Sequence, residues 1–349
     1  TNKVVEIDGF TVHYIKDHYS HNKGVLGRIM AFFNFMLKAY WLAAKLPKPD
    51  LIYATSTPLT ILVPALLLKW TKGIPFIFEV RDLWPEAPIE LGILKNGFLK
   101  TIAKSLALTG YREAESIVVL SPDMQQVIEK QGIKTLITVI PNIANTDFFK
   151  HGHSVNLDYP LTIGYFGTMG LANGITQVTP LLKALQAKIP NQWRFVFAGE
   201  GNEKELFLNK IKAGGLSDNL EEWPSTNLAG IKTYLERCHF SYVSFNNQAP
   251  ILGSGSPNKF FDSLAAGVPI ILNFEGWLKD LVTTKKLGFI QPSNDMETET
   301  CANEIISMFK DQQAYLQVKS NCLAQAKEFN NDKAISKLAS LIKIMEVSD

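Results

Sequence analysis

The residues best suited to chemistry lie in a glycine–serine loop and in the helical pattern that follows it, GSGSPNKFFDSLAAG at 253–267. A hydroxyl at Ser256 and a ring at Pro257 are typical of a helix start, as N-cap and first helical residue. Gly267 is typical of a helix end. The sequence therefore predicts a helix over 257–266 with a small polar loop in front of it.

This loop and helix have the residue types of a nucleotide site. A helix start presents free backbone N–H groups and positive dipole character, so a small loop there can hold an anion closely. Asp262 follows Pro257 at a separation of about 8 Å along a helix axis, the span from a diphosphate to the ribose of one nucleotide. Asp262 is therefore a candidate for the ribose. The candidates for the phosphates are Gly253, Ser254, Gly255, Ser256 and Lys259. A second interpretation is a capped, half-buried helix in which Asp262 pairs with Lys259.

Two more glycine loops follow predicted strands in the same half of the chain. They lie in IGYFGTMGLANGI at 163–175 and in FAGEGNEKEL at 197–206. Glycine at such a place lets the backbone approach a phosphate closely, although ordinary strand–helix turns use it too. Three such loops together favour a nucleotide diphosphate. The candidate residues in these two loops are Gly167, Thr168, Gly170, Asn173 and Gly199.

Other ligand chemistries are disfavoured by what the sequence lacks. No Gly-x-x-x-x-Gly-Lys-Ser/Thr supports a P-loop ATPase, and no Gly-x-Gly-x-x-Gly supports NAD. Three cysteines lie far apart and six histidines form no ligand spacing, so neither a metal nor a cofactor is expected. A net charge of +2 provides no field for nucleic acid as a partner.

A polar cluster follows an apolar strand pattern in the first half, in FIFEVRDLWPEAPIELG at 76–92. Carboxylates at the carboxyl edge of a sheet can position an acceptor hydroxyl, and an arginine there can meet a phosphate or a carboxylate. The candidate catalytic residues are Glu79, Arg81 and Asp82. The alternative is a salt bridge through which Arg81 holds the loop in place.

Strand-like and helix-like patterns alternate along the chain, which predicts an α/β protein with parallel sheets covered on both faces. In the first half, strands are predicted at 11–15, 51–55, 75–80, 116–120 and 135–140, and helices at 26–46, 59–71, 96–112 and 122–131. After a polar connection at 140–160 the pattern restarts. The second set of strands is predicted at 161–166, 194–199, 240–245, 269–273 and 288–290.

Two series of this kind predict two Rossmann-like domains, and ligands then bind beyond the carboxyl ends of the strands, in a cleft between the halves. The first domain is expected over 1–150, without the strand, glycine-rich turn and helix that usually open such a sheet. The second is expected over 151–330 as the nucleotide-binding domain. A final amphipathic helix at 331–349, with Ile335 and Leu338 on its apolar face, is a candidate to pack back toward the first domain.

The chain resembles family 4 glycosyltransferases of the GT-B fold, in particular the bacterial surface-polysaccharide branch that includes L-fucosamine (N-acetylfucosamine) transferases. The resemblance covers nearly the whole chain. It rests on FEVRDLWPEAPIELGILKNG, VLSPDM, VIPNIANTDFF, IGYFGTMGLANGI, FAGEGNEKEL and SPNKFFDSLAAGVPIILN. It implies retaining transfer of a sugar from a nucleotide diphosphate, typically UDP, without an obligatory metal.

The resemblance also assigns residues, and some depart from the family pattern. Asp262 matches the second acid of the paired-glutamate motif, which holds ribose, whereas the first acid falls at Ser254. The acceptor-side His-Asp step is Arg81-Asp82. The arginine and lysine of the family's first C-terminal loop are absent, which leaves phosphate charge to Lys259 and backbone amides. Trp223 or its backbone neighbours are candidates to contact uracil, with core packing as the alternative.

The acceptor implied by the resemblance is a lipid-linked saccharide in O-antigen or capsule synthesis, with an N-acetylated hexosamine or 6-deoxyhexosamine as the sugar. RIMAFFNFMLKAYWLAAKLPK at 28–48 mixes aromatic and basic residues, as in helices that lie on anionic membranes. The alternative is a core helix that covers the first sheet. We therefore expect a cytoplasmic protein, peripheral on the inner face of the bacterial plasma membrane.

Two other functions are compatible with the same residues. A GT-B epimerase of a UDP-amino sugar needs the same nucleotide site but no acceptor. A catalytically silent nucleotide-sugar-binding subunit would accommodate the hydroxyl at Ser254 and the expected missing opening. The aromatic–basic segment favours the transferase over the epimerase.

Overall fold

The computed structural model describes residues 3–16, 25–149, 157–158 and 160–346. It forms two compact units. The first comprises Thr1–Val119 and Gln125–Val139, and the second comprises Leu120–Met124 and Ile140–Asp349. Each unit is built on a parallel sheet with helical crossovers, which confirms the predicted α/β class with two Rossmann-like units.

The first unit has a four-stranded parallel sheet in the order β3-β4-β5-β6. Its elements are β1 (Lys3–Ile7), β2 (Phe10–Tyr14), α1 (Val25–Lys45), β3 (Ile52–Thr55), α2 (Leu62–Lys72), β4 (Phe76–Val80), α3 (Glu86–Glu90), α4 (Gly97–Glu113), β5 (Ser116–Val119), α5 (Pro122–Glu129) and β6 (Leu136–Val139). Phe76, Ile77 and Phe78 are all fully buried, as expected for a strand of a parallel sheet.

The predicted first strand does not belong to this sheet. β2 pairs antiparallel with β1 in a separate two-stranded ribbon. Asp8 and Gly9 both have positive φ at the turn, and Asp-Gly is a strong hairpin signal. The turn at Asp8-Gly9 therefore joins β1 and β2 in a hairpin. The strand prediction at 11–15 did not take this turn signal into account.

The second unit has a six-stranded parallel sheet in the order β12-β11-β10-β7-β8-β9. Its strands are β7 (Leu161–Phe166), β8 (Trp193–Ala198), β9 (Leu220–Glu222), β10 (Phe240–Val243), β11 (Ile270–Leu272) and β12 (Gly288–Ile290). Its helices are α6 (Thr179–Lys188), α7 (Lys204–Ala213), α8 (Leu228–Leu235), α9 (Asn258–Ala266), α10 (Trp277–Lys285), α11 (Asp295–Lys310), α12 (Gln312–Ala326) and α13 (Asn331–Glu346).

The strand order fixes where a ligand can bind in the second unit. From β7 the chain proceeds to β8 and β9 on one side, and then to β10, β11 and β12 on the other. The carboxyl ends of β7 and β10 therefore flank a topological switch point, the usual ligand position in such sheets. The loops that follow these two strands contain the predicted 167–174 and 253–256 segments.

The last helix, α13, differs in detail from its prediction. Leu341 is buried and Leu338 is partly covered, but Ile335 is 63% exposed and does not belong to the inward face. The described part of the chain contains no helix with both the length and the apolar character that crossing a bilayer requires.

Candidate functional site

The candidate donor site is centred on the ammonium of Lys259, in the first turn of α9. Its Nζ lies 3.1 Å from Tyr165 Oη and 3.4 Å from Asn173 Oδ1. It also lies 4.2 Å from the centre of the Tyr165 ring. A Cβ placed on Gly167 would lie 3.6 Å from the same Nζ. The glycine loop after β7 and the helix after the serine loop thus meet at this side chain.

Lys259 has no acidic partner among the described residues, since its contacts there are to neutral oxygens and a ring. Burial lowers the pKa of its ammonium to about 7. A buried cation without a counter-charge is costly, so a position of this kind is typical of a site where an anion binds. The geometry fits an anion at the loop surface beside Lys259.

Two of the glycine loops are packed against each other, which explains two of the predicted glycines. Gly167 has a φ of 143°, and its N–H donates to the Ala198 carbonyl at 2.9 Å. A Cβ on Gly199 would lie only 1.9 Å from the Gly167 carbonyl oxygen. Gly199 thus has a structural role in this contact. Close packing here fixes the backbone of the loop that faces Lys259.

The start of α9 differs from the prediction. Pro257 is the N-cap, and no side chain of residues 3–16, 25–149, 157–158 or 160–346 caps the helix. The Ser256 hydroxyl instead accepts a hydrogen bond from the Asn142 backbone N–H at 3.4 Å, so the N-cap role predicted for Ser256 is wrong. The Phe260 N–H donates to the Pro257 carbonyl at 3.0 Å, whereas the N–H groups of Asn258 and Lys259 have no partner within the part of the chain that the structure describes. They add hydrogen-bond donors next to the ammonium.

The rest of the serine loop is tightly organised. Pro250–Ser254 forms a 3₁₀ turn in which the Ser254 hydroxyl donates to the Ile251 carbonyl at 2.6 Å. A Cβ on Gly253 would lie 2.2 Å from the Glu275 carbonyl oxygen, so only glycine fits there. A Cβ on Gly255 would lie 2.9 Å from the Leu252 carbonyl oxygen. The loop residues thus support the site mainly through backbone geometry.

Asp262 lies less than one turn after Lys259 on α9, but the two side chains form no ion pair, and Asp262 has no hydrogen-bonding side-chain partner among the described residues. The pairing that the second interpretation required is therefore absent between these two residues. Burial raises the pKa of the Asp262 carboxyl to about 6. A half-buried carboxylate in this position retains all its acceptor capacity, which suits the hydroxyls of a ribose.

Three further predicted residues are placed as follows. Thr168 contributes its carbonyl, which accepts from Tyr165 Oη at 2.6 Å, and Gly170 begins the short turn Leu171–Asn173. Trp223 is 6% exposed, stacks on Phe166 and lies under the Arg237 guanidinium. Those are the contacts of a core residue, the alternative that the sequence left open, and we do not assign the uracil contact to the Trp223 ring.

The polar cluster of the first unit lies at the carboxyl end of β4. Arg81 Nη1 is 3.9 Å from Glu79 Oε1, and Glu79 Oε2 accepts from the Thr55 hydroxyl at 2.5 Å. Asp82 is exposed, and its Oδ2 accepts from the Thr57 hydroxyl at 2.9 Å. The three predicted residues are thus neighbours, and the Arg81–Glu79 pair also fits the interpretation of a salt bridge that holds the loop.

Sequence reasoning missed Tyr165, which contacts Lys259 and supports the glycine loop. Burial raises the pKa of its phenol above the ordinary value, so the hydroxyl stays protonated. The only available signal was its position, the last but one residue of a strand that ends at the switch point. An aromatic residue there is also what a core strand would carry.

Both units match known glycosyltransferase families. Residues 5–143 match the glycosyl transferase 4-like domain, and residues 145–325 match glycosyl transferases group 1. The chain belongs to the group 1 glycosyltransferases. The predictions of a glycosyltransferase and of an enzyme are thereby confirmed, and the scaffold without catalysis is no longer needed to explain the residues.

Two relatives have glycosyltransferase names. The chain is 24% identical over 285 residues to the protein called probable glycosyltransferase WbjE of Pseudomonas aeruginosa, with 77% of this chain and 68% of that protein covered. It is 23% identical over 248 residues to an uncharacterized glycosyltransferase of Haemophilus influenzae, with 71% of this chain covered. The match spans 65% of the length of that second relative.

Solved structures confirm the GT-B fold. A sucrose-phosphate synthase from Thermosynechococcus elongatus superposes with a TM-score of 0.78 at 14% identity, over 99% of this chain and 86% of that one. HepE of Anabaena, solved with UDP and glucose, superposes with a TM-score of 0.67 at 18% identity, over 93% of this chain and 83% of that one.

Proposed function

We propose that this glycosyltransferase moves a sugar from a UDP-sugar to a lipid-linked saccharide with retention of anomeric configuration. The sugar is an N-acetylated hexosamine or 6-deoxyhexosamine, and the product enters O-antigen or capsule synthesis. Neither a metal nor a cofactor takes part. The structural neighbour solved with UDP and glucose supports the choice of nucleotide.

The observation that carries the proposal is the Lys259 ammonium, which is partly buried at the junction of two loops with no carboxylate beside it among the described residues. A donor diphosphate supplies the missing negative charge, and the first amides of α9 add hydrogen bonds to it. Asp262, further along the same helix, then accepts from the ribose hydroxyls. This set of groups suits a nucleotide diphosphate better than a single phosphate.

The same groups supply the chemistry of the leaving group. As the bond from the anomeric carbon to the β-phosphate oxygen breaks, negative charge develops on UDP, and preorganised amides and Lys259 stabilise it. The acceptor hydroxyl attacks from the face that the diphosphate leaves, which retains the configuration. The proton of that hydroxyl passes to the departing phosphate oxygen. In the first unit Asp82 is the candidate to orient an acceptor hydroxyl; its Oδ2 accepts from the Thr57 hydroxyl, and the Arg81–Glu79 pair lies next to it in the chain.

An acceptor in the membrane is supported by the exposed face of α1. Met30, Phe33, Leu37 and Trp41 recur at helical spacing and are between 39% and 63% exposed. The helix contains Lys38 and Lys45 and no acidic residue, which suits contact with anionic lipid. On the opposite face Met36 is buried, and the helix packs against α2. We therefore propose a peripheral position on the inner face of the plasma membrane.

The direct test offers the protein radiolabelled UDP-N-acetylhexosamines and their 6-deoxy forms with polyprenyl-diphosphate-linked saccharides in detergent. We expect a lipid-linked product whose new bond has the anomeric configuration of the donor, read by NMR. An inverted bond would contradict the retaining mechanism. Conversion of the donor to its epimer without an acceptor would establish the epimerase instead.

A further inference from the structure

Three side chains donate hydrogen bonds to consecutive carbonyl groups of the serine loop, residues 253–256. The Ser254 carbonyl accepts from the Ser121 hydroxyl at 2.5 Å, and the Gly255 carbonyl accepts from Trp277 Nε1 at 2.9 Å. The Ser256 carbonyl accepts from Asn142 Nδ2. Three consecutive peptide groups are thus each fixed by a side-chain donor from a different part of the chain.

Two of these donor residues, Trp277 and Ser121, are themselves held in place by further hydrogen bonds. The Trp277 backbone N–H donates to Asp123 Oδ2 at 2.8 Å, and the Trp277 ring packs near Phe261 and Phe329. The Ser121 hydroxyl is buried and also accepts from the Met124 N–H at 3.0 Å, at the start of α5. The donors are therefore locked before any ligand arrives, which is the requirement for a preorganised loop.

The direction of each carbonyl decides the direction of the next N–H. In a trans peptide the N–H points opposite to the preceding C=O. The Gly255 N–H is used within the loop, where it donates to the Leu252 carbonyl at 2.9 Å, and Pro257 has no N–H. The Ser256 N–H, directed away from the Trp277 indole, has no partner in the described part of the chain.

We propose that Ser121, Asn142 and Trp277 are positioning residues of the donor loop. Trp277, by holding the Gly255 carbonyl, leaves the Ser256 N–H directed at the diphosphate, next to the first amides of α9. Ser121 and Asn142 fix the peptide groups on either side of it. This inference rests on the proposed function, because the ligand of the loop is the donor diphosphate. Ser121 and Asn142 lie in the two stretches, 120–124 and 140 onward, through which the chain enters the second unit.

The cleanest test is Trp277→Phe, which removes one N–H donor and keeps the aromatic packing. The matched control is Trp193→Phe, because the Trp193 Nε1 makes a bond of the same length, 2.9 Å, to Gln186 far from the loop. Calorimetric titrations with UDP and with uridine separate a phosphate effect from a nucleoside effect. Trp277→Phe is expected to weaken UDP binding about tenfold, because one hydrogen bond and the ordering of the loop that depends on it are lost. The affinity for uridine is expected to change by less than about twofold.

A second variant tests the inference if the Trp277→Phe protein does not fold. Asn142→Leu keeps the approximate size of the side chain and removes the Nδ2 donor without adding a charge, so the same UDP-specific loss is expected. Equal UDP affinities for Trp277→Phe and Trp193→Phe would overturn this inference but leave the proposed function intact. Equal losses for UDP and uridine would overturn it as well. A wild-type protein that binds no UDP would instead remove the proposed function, and the inference with it.

Discussion

Lys259 is the residue on which the account depends. A lysine in a purely structural role either reaches solvent or pairs with a carboxylate, as Lys69 does with Glu115 at 3.0 Å. Among the residues that the structure describes, Lys259 contacts only neutral groups, and burial lowers its pKa to about 7. The position therefore costs stability in the free protein, and an anionic substrate offsets that cost on binding.

Replacing this lysine is expected to stabilise the protein while it removes function. Lys259→Met should raise the free energy of unfolding, since it removes a partly buried, desolvated charge and keeps a side chain of similar length. The folded pKa is depressed from 10.5 to about 7, so the unfolded state binds more protons between these values and wild-type stability rises with pH there. The gain from methionine should therefore be largest at pH 7 and below, and should shrink toward pH 10.

Urea unfolding at several pH values measures this difference. Lys69→Met is the control, because it removes an ion-paired lysine and should lower stability by about 0–1 kcal/mol. A Lys259→Met protein that is less stable than wild type at pH 7 would show that the ammonium has a structural partner.

Donor binding should have a narrow pH optimum. The Lys259 ammonium loses its proton as pH rises through about 7, and the Asp262 carboxyl gains one as pH falls through about 6. Affinity for UDP-N-acetylglucosamine, whose phosphates do not titrate in this range, should therefore be greatest between pH 6 and 7. In Asp262→Asn, the affinity should no longer fall as the pH drops below about 6. In Lys259→Met, it should no longer fall as the pH rises above about 7. A flat profile in wild type would contradict both assignments.

At the scale of elements, the pattern of the chain predicted most of what the structure contains. The apolar runs at 76–80 and 161–166 became buried central strands, because a parallel sheet buries both faces of each strand. Gly267 ends α9 in the left-handed conformation with a φ of 68°, as its residue type predicted. Patterns of this kind depend on near neighbours, which a sequence displays directly.

What the sequence could not supply was set by distant contacts. Ser256 has the type of an N-cap, but Asn142, 114 residues away, engages its hydroxyl and carbonyl. β9 is a strand of three residues with two glutamates, and it forms only because β8 offers an edge for pairing. The contact of Tyr165 with Lys259 spans 94 residues. Such pairs of positions have no local signal.

The close packing of the two glycine loops can be tested by substitution of Gly199. Gly199→Ala would bring a Cβ to 1.9 Å from the Gly167 carbonyl, so the loops must separate, and we expect a loss of about 2–4 kcal/mol. Gly97→Ala is the matched control, since no atom lies within 4 Å of the added Cβ in the first turn of α4. The control should gain up to about 1 kcal/mol.

Denaturant unfolding followed by tryptophan fluorescence compares the two glycine variants. Equal stability of Gly199→Ala and wild type would mean that the loop contact can relax without cost. UDP binding by Gly199→Ala should weaken along with stability, because the displaced segment faces Lys259.

At the scale of the whole molecule, the two matched families cover almost the entire chain, and each corresponds to a parallel α/β sheet of its own. The family therefore accounts for the fold and for the class of reaction. Substrate choice depends on fewer residues. From the resemblance alone, we expect Ser254 and the Arg81-Asp82 step to depart from the family pattern.

The membrane proposal is testable on the intact protein. Sedimentation with vesicles of anionic and of neutral lipid should show tighter binding to the anionic ones, with binding reduced at high salt. A variant with Trp41→Ser and Lys38→Ser should bind anionic vesicles at least about fivefold more weakly, because both side chains lie on α1 and Trp41 is 61% exposed. The control is Trp70→Ser, an exposed tryptophan on α2. Equal binding by the α1 variant and wild type would contradict the role of this helix.

The most direct test of the central claim is a calorimetric titration of UDP into wild type, Lys259→Met and Asp262→Asn at pH 6.5, with Lys69→Met as the control. We expect one site per chain in wild type and in the control, a loss of affinity of at least about thirtyfold in Lys259→Met, and a loss of about tenfold in Asp262→Asn. Absence of binding by well-folded wild type, or equal affinity in all four proteins, would contradict a nucleotide diphosphate site at Lys259 and Asp262.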